Sequence, residues 1–239
     1  MSVATLPLIA GDSPAERLAS LRAAVPGRIV FTTSFGIEDQ LLTHAIFTRN
    51  LDIEVVTLDT GRLFPSTYKL WQETEEHYGR RIRSYHPDAR ALAAWVADAG
   101  INGFYHSKAA RLDCCNIRKV EPLDRALEDA AAWVTGLRAD QSGERGKVAL
   151  AAWERDLVKV SPLFDWTRQQ VLYFNEMQKV PVNPLHKQGF PSIGCEPCTR
   201  AVLQGEDERA GRWWWEQDEA RECGLHVDGS GRLIRTKAA

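Results

Sequence analysis

Three apolar runs in this chain each break at a turn of small or hydroxyl-bearing residues, and that recurrence restricts the fold more than any other feature. Arg28 to Thr33 (RIVFTT) runs into Ser34-Phe35-Gly36, Ile53 to Leu58 (IEVVTL) into Asp59-Thr60-Gly61, and Ala132 to Thr135 into Gly136-Leu137-Arg138. Short β-branched and aromatic runs bounded by such turns read as buried strands. Two further strands are expected at Ile82 to His86 and Leu157 to Ser161. Helical stretches fill the gaps. Ile37, Leu41, Leu42, Ala45 and Ile46 share one face, Pro65 to Tyr78 continues the pattern, and Thr167 with Gln170 forms a capping box ahead of a helix to Met177. Alternation of this kind implies an α/β chain with a parallel sheet covered by helices on both faces. Ligands of such sheets bind beyond the carboxyl ends of the strands, where the three turns gather.

With 239 residues, 44% of them apolar, the chain has enough material for one sizeable core. The expected organisation is a single domain over 1–239. It comprises an α/β core at about 25–181 and an irregular, cysteine-bearing segment at 182–239 that closes over the sheet. The formal charge of −2 gives no global bias toward nucleic acid. No apolar run is long enough to span a bilayer, and Met1 to Ala10 lacks the basic start of a secretory signal. An odd count of five cysteines, two of them adjacent, suits a reducing cytoplasm better than a secreted disulfide framework.

Cys114-Cys115 falls on an expected helix, and Cys195-Glu-Pro-Cys198 in a Gly/Pro-rich loop far along the chain. Two short-range pairs from distant segments suit a four-thiolate site. Neighbouring side chains on a helix diverge by about 100°, which strains a single zinc ion. A cubane with separated iron corners accepts two divergent sulfurs more readily. Zinc and free thiols remain the alternatives. Cys223 stands apart, between charged residues and Gly224, with His226 close by. It reads either as a small buried hydrophobe or as a carried nucleophile.

These residues resemble the iron–sulfur type of assimilatory adenylyl-sulfate (APS) reductases, within the wider PAPS/APS reductase family. The resemblance rests on Ser34-Phe-Gly-Ile-Glu-Asp39, Leu58-Asp-Thr-Gly-Arg62, Cys114-Cys-Asn-Ile-Arg-Lys119 and Thr135-Gly-Leu-Arg-Ala-Asp-Gln-Ser142. It continues through Pro191-Ser-Ile-Gly-Cys-Glu-Pro-Cys-Thr-Arg200, the run from Gly205 to Glu216, and Glu222-Cys-Gly-Leu-His226. It implies an adenine-nucleotide α-hydrolase-like fold and one [4Fe–4S] cluster per chain on Cys114, Cys115, Cys195 and Cys198. It implies reduction of APS to sulfite and AMP in sulfate assimilation and cysteine biosynthesis, with Cys223 as nucleophile and thioredoxin, or a similar dithiol, as reductant. By matching position, Lys119 is expected between cluster and substrate. Arg138, Arg145, Arg209, Arg212 and His226 are expected to face the phosphosulfate, and Ser34, Leu58, Thr60 and Gly136 to line the nucleotide cleft. Relatives without the four cluster cysteines generally use PAPS, so APS is the expected substrate and PAPS, or both, the alternative. No nucleic-acid or membrane partner is implied, and oligomeric state is left open.

The residue types suit that chemistry independently of the resemblance. An anhydride of phosphate and sulfate is multiply anionic, and the leaving AMP gains charge as the sulfur is attacked. Arginine forks bind such oxygens bidentately. Arg209 and Arg212, at helical spacing beside Trp213 to Trp215, would present one basic face, and Lys119 lies one helical turn beyond Cys115. Asp39 suits either a helix cap or a functional role. His44, His77, His86, His106 and His186 read as packing or surface residues. An ATP-pyrophosphatase-type enzyme is a rival reading, but such a loop wants glycine where this chain has Phe35. A cluster-bearing redox sensor would leave the nucleotide turns unexplained.

Overall fold

The computed structural model describes residues 5–141, 148–154 and 156–216. Its centre is a six-stranded sheet of order β3-β2-β1-β4-β6-β5. The strands are β1 (Arg28–Thr33), β2 (Glu54–Leu58), β3 (Arg83–Tyr85), β4 (Ala130–Val134), β5 (Ala151–Glu154) and β6 (Leu157–Val160). All pairings are parallel except that of β5 with β6. The four-residue edge strand β5 is the departure from the all-parallel expectation. The other five strands fall where the apolar runs predict them.

The chain winds outward from β1 to β3 and then crosses back to place β4 on the other side of β1. That reversal lies between β1 and β4, the position at which open α/β sheets bind ligands. Helices α1 (Pro14–Ala24), α2 (Ile37–Thr48), α3 (Pro65–Tyr78) and α7 (Arg168–Met177) contribute to one core with Ile29 and Phe31 of β1. Val30, between them, is buried with Val56 and with Ala126 of α6 (Glu121–Ala126) on the opposite face. Burial of consecutive β1 residues on both sides explains its continuous apolar run. The Thr167–Gln170 capping box is present at the start of α7. Helices α4 (Ala89–Ala99) and α5 (Lys108–Cys115) complete the set, and α5 passes directly into a π-helical turn, Asn116–Val120, before α6. No helix among the described residues is long and apolar enough to cross a membrane.

Candidate active site

Beyond the carboxyl ends of β1, β2 and β4 lies a cavity of about 250 Å³. Ser34, Leu58, Thr60, Lys119, Gly136, Arg209 and Arg212 line it, as do Cys195 and Trp213. Seven of the ten expected substrate residues therefore meet at one opening.

The turn after β1 is shaped by a carboxylate. Asp39, near the start of α2, accepts from Ser34 N at 2.6 Å and from Ser34 Oγ at 2.7 Å. Phe35 between them adopts φ +62, the left-handed region that ordinarily favours glycine. It is buried and stacked on Trp71 at 5.7 Å, so packing offsets the backbone strain. Gly136 at the end of β4 is required by the same carboxylate: a Cβ there would overlap Asp39 Oδ1. The bare glycine lets the two loops touch.

Cys114, Cys115, Cys195 and Cys198 are all buried and share one cluster with Phe104 and Trp213, flanked by Trp95 and Trp215. α5 carries the first pair at its last two positions, and a 3-10 turn, Glu196–Cys198, presents the second. An antiparallel bridge between Leu63 and Cys195 and the bond from Glu196 N to Arg62 O (2.8 Å) pin that turn to the loop after β2. Burial pushes the Cys114 thiol up, and pushes that of Cys198 up to about 12. At Cys195 burial acts in the same direction, but Lys119, the Thr60 hydroxyl, Arg212 and Arg118 outweigh it and lower the thiol below its ordinary value. Thr60 Oγ1 accepts from Arg62 N at 3.2 Å and lies 3.3 Å from Cys195 Sγ, so this hydroxyl touches both the cavity and the cysteine wall. Among the described residues no three His, Cys, Asp or Glu side chains converge on a position suited to one metal ion.

Trp213 is buried beneath three guanidiniums: Arg212 at 4.6 Å, Arg111 at 4.7 Å and Arg209 at 6.0 Å from its ring centre. Arg111 also grips Glu216 with two bonds, of 2.8 and 2.7 Å. The Arg209 and Arg212 segment is not the helix its spacing suggests. It is a series of turns, with Gly205 at φ +90 and Trp213 at φ +44, and a bridge from Thr199 to Arg212. Gly194 faces the Arg212 guanidinium so closely that a Cβ would overlap it.

Arg138 lies elsewhere. It is fully buried against Glu38 (2.9 Å), Asp140 (2.9 Å) and Glu208 (3.4 Å) and is not among the residues lining the cavity. Its position at the end of a strand run resembles that of the cavity residues, and Glu38 and Glu208 from distant segments, with nearby Asp140, draw it into the wall. Arg145, Cys223 and His226 lie outside the described residues. Cavity residues not anticipated from sequence include Thr32, Trp133, His186 and Glu208. Thr32 and Trp133 sit inside apolar strand runs, where nothing in the pattern marks a residue as ligand-facing.

Residues 28–201 match the family model of the phosphoadenosine phosphosulfate reductase domain. The chain is 56% identical over 227 residues to an adenosine 5'-phosphosulfate reductase from Sinorhizobium fredii, an alignment that covers 94% of this chain and 90% of that one. It is 54% identical over 224 residues to an Agrobacterium fabrum protein of the same name, covering 93% and 86%. Among solved structures, the phosphoadenylyl-sulfate (PAPS) reductase of Candida auris, in a phosphate complex, is similar with a TM-score of 0.67 at 25% identity, covering 80% of this chain and 90% of that one. The sheet is thus of the adenine-nucleotide α-hydrolase-like kind that the sequence implies, with one antiparallel edge. On the match over residues 28–201 and the identity to these relatives, the chain belongs to the phosphoadenosine phosphosulfate reductase family.

Proposed function

We propose that this chain reduces APS to sulfite and AMP, in the manner named for its Sinorhizobium and Agrobacterium relatives. The observation that carries the reading is the meeting of Cys195, one of four clustered buried thiols, with Lys119, Arg209 and Arg212 at one wall of the cavity. In this proposal the Cys223 thiolate attacks the sulfate sulfur. The S–O bond to the phosphate breaks, AMP leaves with that electron pair, and Cys223 holds an S-sulfo group. A thiolate of thioredoxin, or a similar dithiol, then attacks Cys223 Sγ and releases sulfite. Its second thiol resolves the mixed disulfide and restores Cys223. Arg209 and Arg212, with Arg145 and His226, bind the phosphosulfate oxygens and strengthen their hold as AMP gains charge.

Cys114, Cys115, Cys195 and Cys198 would hold one [4Fe–4S] group. The donor set fits it: four thiols within one buried cluster, cations beside Cys195, and Trp213 Nε1, Trp215 Nε1 and Arg212 Nε buried without an acceptor among the described residues. When bound, the group supplies a fixed anionic centre against which Lys119 and the arginines are ordered.

Several measurements test these proposals. Purified without oxygen, the protein should carry about four iron and four sulfide per chain. Stoichiometric zinc without labile sulfide would overturn the cluster. Incubation with APS and no dithiol should release one AMP and add one SO₃ group to the peptide containing Cys223, discharged as sulfite by thioredoxin. Turnover by Cys223→Ser, or a label on another cysteine, would overturn the nucleophile. A kcat/KM for PAPS equal to that for APS would restore the alternative of dual use.

A further inference from the structure

The cavity floor contains a hydroxyl that accepts one hydrogen bond and has its own proton still to give. Thr32, the penultimate residue of β1, and Trp133, the penultimate residue of β4, both line the cavity. Trp133 Nε1 donates to Thr32 Oγ1 at 2.9 Å. An indole nitrogen is a donor and nothing else, so the hydroxyl must act as acceptor in this bond. No other partner of the Thr32 hydroxyl occurs among the described residues, and its own proton remains to be given. A part-buried hydroxyl with an unused donor loses free energy unless a ligand or water takes the proton.

The indole is fixed in place. On one ring face Lys159 Nζ sits 4.6 Å from the centroid and is itself held by Glu154 at 2.6 Å. Leu123 and Leu157 pack around the same ring. Trp133 therefore holds the Thr32 lone pair in a constant direction. Leu58 and Thr57, at the end of β2, border the same floor. Lys119, Arg209 and Arg212 gather instead around Cys195 and Trp213 in the wall above. An anionic group settles among the cations, and the flat, largely apolar part of the same ligand is left for the floor.

We propose that Thr32 is a specificity-determining donor for the base of the nucleotide, giving its hydrogen bond to a ring nitrogen of adenine, with Trp133 as the residue that orients it. This inference rests on the nucleotide reading of the cavity given above. A purine ring nitrogen carrying a lone pair accepts such a bond, whereas a carbon at the same place does not.

Calorimetric titration with AMP, and with its 1-deaza, 3-deaza and 7-deaza analogues, tests it on the full chain. Thr32→Val, which keeps the shape and removes the hydroxyl, should weaken AMP about tenfold. Thr32→Ser should restore most of that loss. One deaza analogue should bind the unaltered protein correspondingly weakly and be indifferent to Thr32→Val, the signature of a direct pair in a double-mutant cycle. Trp133→Phe, which keeps the ring and deletes the N–H, should reduce that discrimination between AMP and the analogue. The KM for APS should rise in Thr32→Val by the factor seen for AMP. Circular dichroism of each variant reports whether it folds, and the Ser variant and the analogues applied to unaltered protein keep the test valid if Val does not. Unchanged AMP affinity in Thr32→Val, or equal binding of AMP and all three analogues, overturns the inference while leaving APS reduction standing. Failure of the unaltered protein to bind AMP or consume APS overturns both.

Discussion

A methyl group added at Gly136 would collide with a carboxylate that cannot retreat. Asp39 is held by two bonds from Ser34, and Glu38 beside it is paired to Arg138. Gly136→Ala should therefore cost about 1–3 kcal/mol in urea unfolding and deform the cavity mouth. A variant of unchanged midpoint and AMP affinity would contradict that packing. Arg138 is the opposite case, a buried cation whose removal strands its partners. Arg138→Leu should cost about 3–5 kcal/mol, because Glu38 loses its counter-charge and Glu208 keeps only its longer pair with Arg168. Asp140 is half exposed, so water replaces part of its share. If that arginine instead served only substrate, stability would be unchanged and KM alone would rise. Two histidines add a pH dependence. Burial lowers the pKa of His44 and of His186, with His77 and Arg168 adding to the respective effect. Their neutral forms are favoured in the folded chain, so stability is complete above the unfolded value of about 6.5 and falls as pH drops through it. The midpoint of unfolding should decrease between about pH 7 and pH 5, and His44→Phe should flatten that slope.

Local sequence governs some elements almost entirely, and α7 is one of them. Its capping box is written in Thr167 and Gln170, and Thr167→Ala should cost about 1 kcal/mol by thermal unfolding, since Gln170 N loses its acceptor. No loss would mean that tertiary packing alone sets this helix start. The central strands were equally legible, because a strand buried on both faces must be apolar without interruption. β5 was not. Ala-Ala-Trp-Glu carries no strand pattern, and its four residues are extended because β6 offers a neighbouring edge. The π-turn at Asn116–Val120 is hidden as well, because its residues suit an α-helix. Lys119 consequently is not one ordinary helical turn from Cys115. The turns holding Arg209 and Arg212 show the same limit, since spacing alone cannot reveal a left-handed Trp213. Residue identities at the cavity were readable from motifs, whereas Thr32 and Trp133 needed the register of β1 beside β4.

At the scale of the whole molecule, the cavity joins two differently built regions. One is the sheet, with a core shared by α1, α2, α3 and α7. The other is the wall of turns and aromatic rings around the cysteines. Under the cluster proposal, Cys195→Ser should remove the iron and expose amides of 101–120 and 189–216 to hydrogen exchange, while β1, β2 and β4 stay protected. Equal loss of protection across the sheet would mean that the two regions unfold as one. The placement of the cysteines also fixes an order of events in the life of the chain. Cys114 and Cys115 precede β4, whereas Cys195 and Cys198 follow α7, so β4, β6 and α7 lie in the loop between the pairs. Closing so long a loop in an unfolded chain is entropically unfavourable, and the sheet is what shortens the distance. Under the cluster proposal, iron loading would come late in biogenesis: a nascent chain still lacking residues beyond α7 has only half of the proposed donors with which to accept a metal.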